Sequence, residues 1–335
     1  MATIGLNALT LNDLCKRQGT NGYIDQIIEV LAQSNDILQD MTWMEGNLTT
    51  GNKTTLRNSI PEPALRKINQ GVAYTKSDTK QIVDTSVILE ARSKVDVELL
   101  SLAPNKEEFR RSEDVAIIEG FGQKLASMVI YGNTANDPDT FNGLDIRHRT
   151  LSTSSTPSTA PAYTTLDAGG TGSSLTSAFL VDWGANTCTG IYPKGGTAGL
   201  IHKDLGEQTV TDRDGLDYQA YVSLFKWYCG LTVRDYRAVG AVRNIDASQL
   251  KTGTAAQKLT ILNAFLSAHD RLRHPERAIL YVSNAMYTAL KLFLMDKNNS
   301  YVTRDTLENG IPVLRMDGMK VVKLDVLKDN ETQIV

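Results

Sequence analysis

The chain has 335 residues and a mass of 36.7 kDa, with 41% hydrophobic and 22% charged side chains and a formal net charge of -3. That composition belongs to a folded globular protein of one elaborated domain or two interlocked ones, and it excludes a disordered or fibrous chain. No run of about 18 apolar residues is present to cross a bilayer as a helix, and a pI of about 5.9 excludes the basic surface that sequence-independent DNA binding requires.

In chain order, Tyr23, Ile24, Ile27, Ile28, Leu31, Leu38 and Met41 repeat at helical spacing, which predicts a helix over Asn21 to Glu45 behind an N-terminal arm. From Gly46 to Lys80 the chain turns polar, with Gly51, Pro61, Pro63 and Gly71, and reads as an exposed excursion. It returns through Gln81 to Glu98, where Val83, Thr85, Val87 and Leu89 alternate with polar residues as in a strand. A helix of about seven turns begins after Pro104, with Asn105 as cap and Glu108 completing a capping box. Ile118, Phe121, Leu125, Met128 and Val129 share its buried face, and Gly132 is placed to end it in the left-handed conformation.

Ser152 to Ser177 is almost wholly Ser, Thr, Pro, Ala and Gly and reads as a surface insertion. Strands are predicted at Ala178 to Asp182, Thr189 to Tyr192, Tyr218 to Tyr228, Leu231 to Arg234 and Arg277 to Val282. Helices are predicted at Thr254 to Arg271 and, capped by Ser283, at Asn284 to Met295. Asp317 and Gly318 sit between alternating runs at Ile311 to Met316 and Met319 to Leu327, a hairpin signal. The class is α+β.

Signals for chemistry are weak. Cys15, Cys188 and Cys229 are odd in number and far apart, so neither a disulfide framework nor a zinc site is indicated. His269 and His274 are five positions apart, the wrong spacing for a helical metal pair, and read as polar residues at a helix end. Asp212, Asp214, Gly215 and Asp217 lack the register of a calcium loop, and Lys194, Gly195, Gly196 and Gly199 lack the ending of a phosphate loop. No cofactor and no catalytic constellation is expected. Arg147, His148 and Arg149 form the densest basic cluster and, with Arg110 and Arg111, read as a solvated face.

Three stretches carry a family resemblance: YGNTANDPDTFNGLDIR (Tyr131 to Arg147), KWYCGLTVRDYRAVGAVRNID (Lys226 to Asp246) and NGIPVLRMDGMKVVKLD (Asn309 to Asp325). Together with the order of elements, they resemble tailed-bacteriophage major capsid proteins of the Hong Kong 97 type, closest to the coat proteins of short-tailed phages. The resemblance implies an N-terminal arm and helix over 1–45, an extended two-stranded loop over 46–99, and a spine helix and peripheral domain over 100–150. After the insertion at 151–177 it implies an axial domain over 178–310 and a hairpin at 311–335 returning to the peripheral domain.

The function implied is structural: pentamers and hexamers of this chain closing an icosahedral shell around double-stranded DNA, without specific binding of that DNA and without enzymatic activity. A separate scaffolding protein, a portal protein and a decoration protein are the implied partners, with assembly in the host bacterial cytoplasm. Within such a shell Arg57, Arg66, Lys67, Glu107, Glu108, Arg110, Arg111, Arg147 and Arg149 are the candidate subunit-interface residues. An encapsulin-type nanocompartment is the alternative with the same fold. A monomeric hydrolase or carbohydrate-binding module is the alternative from another class.

Overall fold

A computed structural model describes residues 35–153, 161–212, 214–294, 302–306 and 312–335. The strands in chain order are β1 (Trp43–Glu45), β2 (Gly51–Ser59), β3 (Asp78–Asp96), β4 (Thr165–Asp167), β5 (Thr176–Val181), β6 (Cys188–Tyr192) and β7 (Leu200–Thr211). They continue with β8 (Asp217–Val233), β9 (Val239–Ile245), β10 (Ile279–Val282), β11 (Val302–Thr306), β12 (Pro312–Met316) and β13 (Met319–Lys323). The longest helix, Lys106–Tyr131, is capped by Asn105, whose Oδ1 accepts the Glu108 N–H at 3.3 Å. The Glu108 carboxylate answers the Asn105 side-chain amide, a variation on the expected capping box.

The described residues group into two compact units, with β3, β8 and the long helix contributing to both. One unit holds Ile88–Leu125 and Thr197–Tyr228. Its core is Val95, Leu99, Leu100, Ala103 and Phe109, with Tyr221 packed against them. β7 and β8 form its hairpin, in register from Leu200↔Trp227 to Thr211↔Asp217 with a shift between Asp204 and Gly206. The larger unit takes in Ser34–Val87, Ala126–Gly196 and Cys229–Val335. It is built on a seven-stranded sheet in the order β11-β12-β13-β10-β5-β9-β4. Helices Ala255–Arg271 and Asn284–Phe293 bury Ile261, Phe265, Met286 and Leu290 with Leu180, Val242, Leu280 and Met316 in one core. Ser283 caps the second as its sequence predicts, and Thr254, read from the sequence as the first helical residue, caps the first in a box with Gln257.

Several expectations are corrected. Of the N-terminal helix, residues 21–34 lie outside the described residues; Ile37–Asp40 is one helical turn, and Trp43–Glu45 is a strand pairing in parallel with β6. Ile118 is 46% exposed and does not share the buried face of the long helix with Phe121, Leu125, Met128 and Val129. Gly132 ends that helix for lack of space: a Cβ there would lie 2.3 Å from the Phe141 carbonyl oxygen. The two strands predicted within 218–234 are one, Asp217–Val233, because Gly230 lets β3 pass close; a Cβ would sit 2.8 Å from the Thr85 oxygen.

The C-terminal hairpin forms, with Asp317 and Gly318 both at positive φ (48° and 83°). Its second strand pairs in parallel with β10, so it belongs to the seven-stranded sheet. The segment 161–177 is not a surface insertion. β4 adds to β9 as an edge strand, and Thr164, Thr165, Ala168, Leu175, Thr176 and Ser177 are buried. Threonine suits a strand as a β-branched residue, and its hydroxyl finds partners inside: Thr165 donates to Pro161 O at 3.0 Å. Tyr163 is held between the guanidinium groups of Arg237 and Arg271. Cys188 and Cys229 are buried free thiols; burial raises the pKa of both, that of Cys229 to about 12.

Candidate functional site: the extended arm and its root

The feature that a self-contained protein would not keep is the arm formed by β2 and β3. The two strands pair antiparallel from Gly51↔Thr85 to Ser59↔Asp78. Over residues 51–85, no described side chain beyond Asn52 and Asp84 is buried. At the tip Ile60, Leu65, Ile68 and Tyr74 are 82%, 102%, 92% and 105% exposed, an apolar surface that none of the described residues covers. One short turn orders the tip, with Asn69 at φ 64° and Arg66 Nε donating to Gln70 O at 3.0 Å. Residues 57–80 carry five cations (Arg57, Arg66, Lys67, Lys76, Lys80) and two acids (Glu62, Asp78), a net of +3.

The root is polar and closed. Asn52 and Asp84 face each other across the two strands and are 0% and 5% exposed. Thr232 Oγ1 donates to Asp84 Oδ2 at 2.7 Å, and Asn52 Nδ2 lies 3.3 Å from the same hydroxyl. Arg147 completes the cluster, donating from Nη2 to Asp84 Oδ1 at 2.7 Å and to Leu231 O at 3.2 Å, and from Nε to Asn142 O at 3.1 Å. Such a pair is stable in the interior because the guanidinium and both carboxylate oxygens of Asp84 find hydrogen-bond partners. Gly51 admits the crossing, since a Cβ there would lie 2.0 Å from Asp84 O.

A second ionic cluster follows directly. Asp145 pairs with Arg243, which is 2% exposed and lies over the Phe179 ring, and with Arg149 at 3.0 Å. His148 is fully buried, with Nδ1 2.9 Å from Thr165 Oγ1. Burial, then the charges of Arg243 and Arg147, lower its pKa to about 3, so the imidazole is neutral.

The candidate interface residues therefore divide. Arg57, Arg66 and Lys67 are exposed on the arm. Glu107, Glu108 and Arg111 are exposed at the start of the long helix, near Leu102, Val115 and Ile118, which are 60%, 42% and 46% exposed. Arg110 is occupied within its own unit by Asp204 (2.9 Å), Ser223 and the Tyr221 ring. Of the Arg147–Arg149 cluster only Arg149 faces solvent, at 56%; Arg147 and His148 point inward, which corrects the solvated face expected for all three. Sequence reasoning missed Asn52, Asp84 and Thr232. The alternation of Val83 and Thr85 with polar residues marked the strand and not its root, where Val83 is 55% exposed and Asp84 is buried. His269 is also less exposed than expected, with Nδ1 3.2 Å from Asp317 Oδ2. Among the described residues no group of three or more His, Cys, Asp or Glu is placed to hold a metal, and no helix is long and apolar enough to cross a membrane.

An unsupported two-stranded arm carried by an α+β body defines a subunit made to be completed by others, and known structures agree. The chain is similar to one in the structure of bacteriophage epsilon15, at 28% identity and a TM-score of 0.75, covering 100% of this chain and 99% of that one. It thus has the Hong Kong 97-type capsid fold. Weaker likenesses are to the capsid of bacteriophage JBD30 decorated with minor capsid protein trimers (13%, TM-score 0.49, 91% and 95% covered) and to the SrpI encapsulin of Synechococcus elongatus (15%, TM-score 0.37, 71% and 97%). No curated protein matches the chain. The profile of the major capsid protein GP7 family matches residues 19–335, and the chain belongs to that family. It is a structural coat protein of a bacteriophage virion, and many copies of it build the capsid shell.

Proposed function

We propose that the tip of the arm closes the shell by lying on the start of the long helix of a second copy. The observation that carries this is the exposed tip, where four large apolar side chains stand uncovered on a segment of net charge +3. Residues 98–114 offer the complement: five acids (Glu98, Glu107, Glu108, Glu113, Asp114) against three cations (Lys106, Arg110, Arg111), with Leu102, Val115 and Ile118 exposed beside them. Burying each tip side chain fully stabilises by about 1.5–3 kcal/mol, whereas an exposed ion pair contributes at most about 1 kcal/mol. The apolar contacts then supply strength, and Arg57, Arg66 and Lys67 against Glu107 and Glu108 set the register. Repetition around a closed symmetric shell turns weak contacts into a stable cage.

The same reading makes the protein a coat without enzymatic activity. It encloses double-stranded DNA without binding it specifically, in keeping with a net charge of -3. It assembles in the host cytoplasm with a separate scaffolding protein and a portal, and a decoration protein binds its surface. Deleting Arg57 to Thr75 tests the arm: soluble subunits that form no shells are expected, and normal particles by electron microscopy would refute the contact. Reversing Arg66→Glu with Lys67→Glu should block assembly, and Glu107→Lys with Glu108→Lys in the same chain should restore it.

A further inference from the structure

We infer that Arg147 is a positioning residue for shell geometry: through Asp84 it fixes the angle at which the arm leaves the subunit, and so decides which curvature the assembled shell takes. This inference rests on the arm being the contact to a second copy. Three observations carry it. First, over residues 51–85 the only described side chains that are buried are the opposed pair Asn52 and Asp84 at the root, so the direction of the projecting stretch is set there and nowhere further out. Second, that root is held by directional polar bonds. Apolar packing tolerates sliding, whereas the planar guanidinium of Arg147 fixes three acceptors at once: Asp84 Oδ1, Leu231 O and Asn142 O. These three come from the arm, from β8 and from the loop that follows the long helix. Third, Thr232 and Arg234, from the end of β8 and just beyond it, hold the other side of the root, through Asp84 Oδ2 at 2.7 Å and Asn52 Oδ1 at 3.4 Å.

The leverage is large. Asn52 to Ser59 spans about 23 Å of strand, so a rotation of about 10° at the root moves the far end by roughly 4 Å. Such a displacement takes a side chain out of one contact and into another without unfolding anything. A hydrophobic root would permit a range of angles, whereas the bonded root permits one.

The test uses the full chain. Arg147→Lys keeps the buried charge but cannot reach three acceptors, and Thr232→Val removes one bond to Asp84 at nearly constant volume. Each variant is followed by its thermal midpoint and by the diameter distribution of assembled particles in electron micrographs. Subunits that fold and still assemble, but into shells of shifted or broadened diameter or into open sheets and tubes, are the expected result. Asp84→Asn, which weakens the same bonds from the other side, should reproduce it. A wild-type diameter distribution from either soluble variant overturns the inference. Failure of both to fold assigns the cluster to stability alone and overturns it as well. The arm contact is judged separately: if deleting Arg57 to Thr75 leaves shells normal, that contact fails; if the deletion abolishes shells while Arg147→Lys shells are normal, only the angle-setting role fails.

Discussion

Lowering the pH should destabilise the subunit through His148. The imidazole is fully buried, and the nearest charges are the cations Arg243 and Arg147, opposed by Asp145. A pKa of about 3 in the fold, against 6.5 in the unfolded chain, means that the unfolded state takes up its proton first as the pH falls. The stability contributed by the neutral ring is complete above about pH 6.5 and is lost progressively towards pH 3. Each unit within that window costs about 1.4 kcal/mol, so going from pH 7 to pH 5 should remove about 2 kcal/mol through this group alone. His148→Asn removes the titrating group while its amide remains able to bond Thr165. The smaller side chain leaves a cavity that lowers stability at both pH values alike. The informative quantity is therefore the difference between them, measured by urea unfolding of the free subunit. The variant should lose about 2 kcal/mol less than the parent over this interval. Equal losses would show that the ring is already solvated or charged, and the argument from burial would fail.

Asp182 presents the opposite case. It is 1% exposed with the Arg277 guanidinium 3.5 Å away, and burial raises its pKa. Because the fold favours the protonated form, the carboxylate costs stability above the ordinary carboxyl range. Asp182→Asn should raise the thermal midpoint at pH 7 by the equivalent of about 1 kcal/mol and have little effect near pH 4; an unchanged midpoint at pH 7 would contradict this. Gly230→Val, which drives a side chain into the Thr85 carbonyl, should cost about 1–3 kcal/mol in equilibrium unfolding. Removing residues 161–172 takes away Tyr163 and β4, and recovery in the insoluble fraction is expected; soluble shells would show that the edge strand is dispensable.

How much of this was legible in the sequence depended on whether the determining contact was local. Asn105 and Ser283 were found as caps because a cap acts within three residues, and Asp317 with Gly318 because a turn needs positive φ at those positions. β7 was missed because its residues 200–211 are mostly exposed and lack alternation; it exists as a strand because β8 pairs with it. Arg147 read as a surface charge because its partner Asp84 is 63 positions away. The buried threonines of 161–177 looked like linker composition because hydroxyl satisfaction by Pro161 and His148 is a tertiary fact. The arm was legible for the converse reason: a long polar excursion bounded by glycines declares that no core of its own awaits it.

The two enclosed thiols make the protein its own clock. Cys188 and Cys229 are 0% exposed with pKa values pushed well above neutral, so a thiol-reactive dye can reach them only when the surrounding strands open. With Cys15 changed to Ser, the labelling rate of the free subunit times that opening on β6 and β8 without any introduced probe. The ratio of that rate to the rate in intact particles then expresses, as a population of open molecules, how strongly neighbours hold each subunit shut.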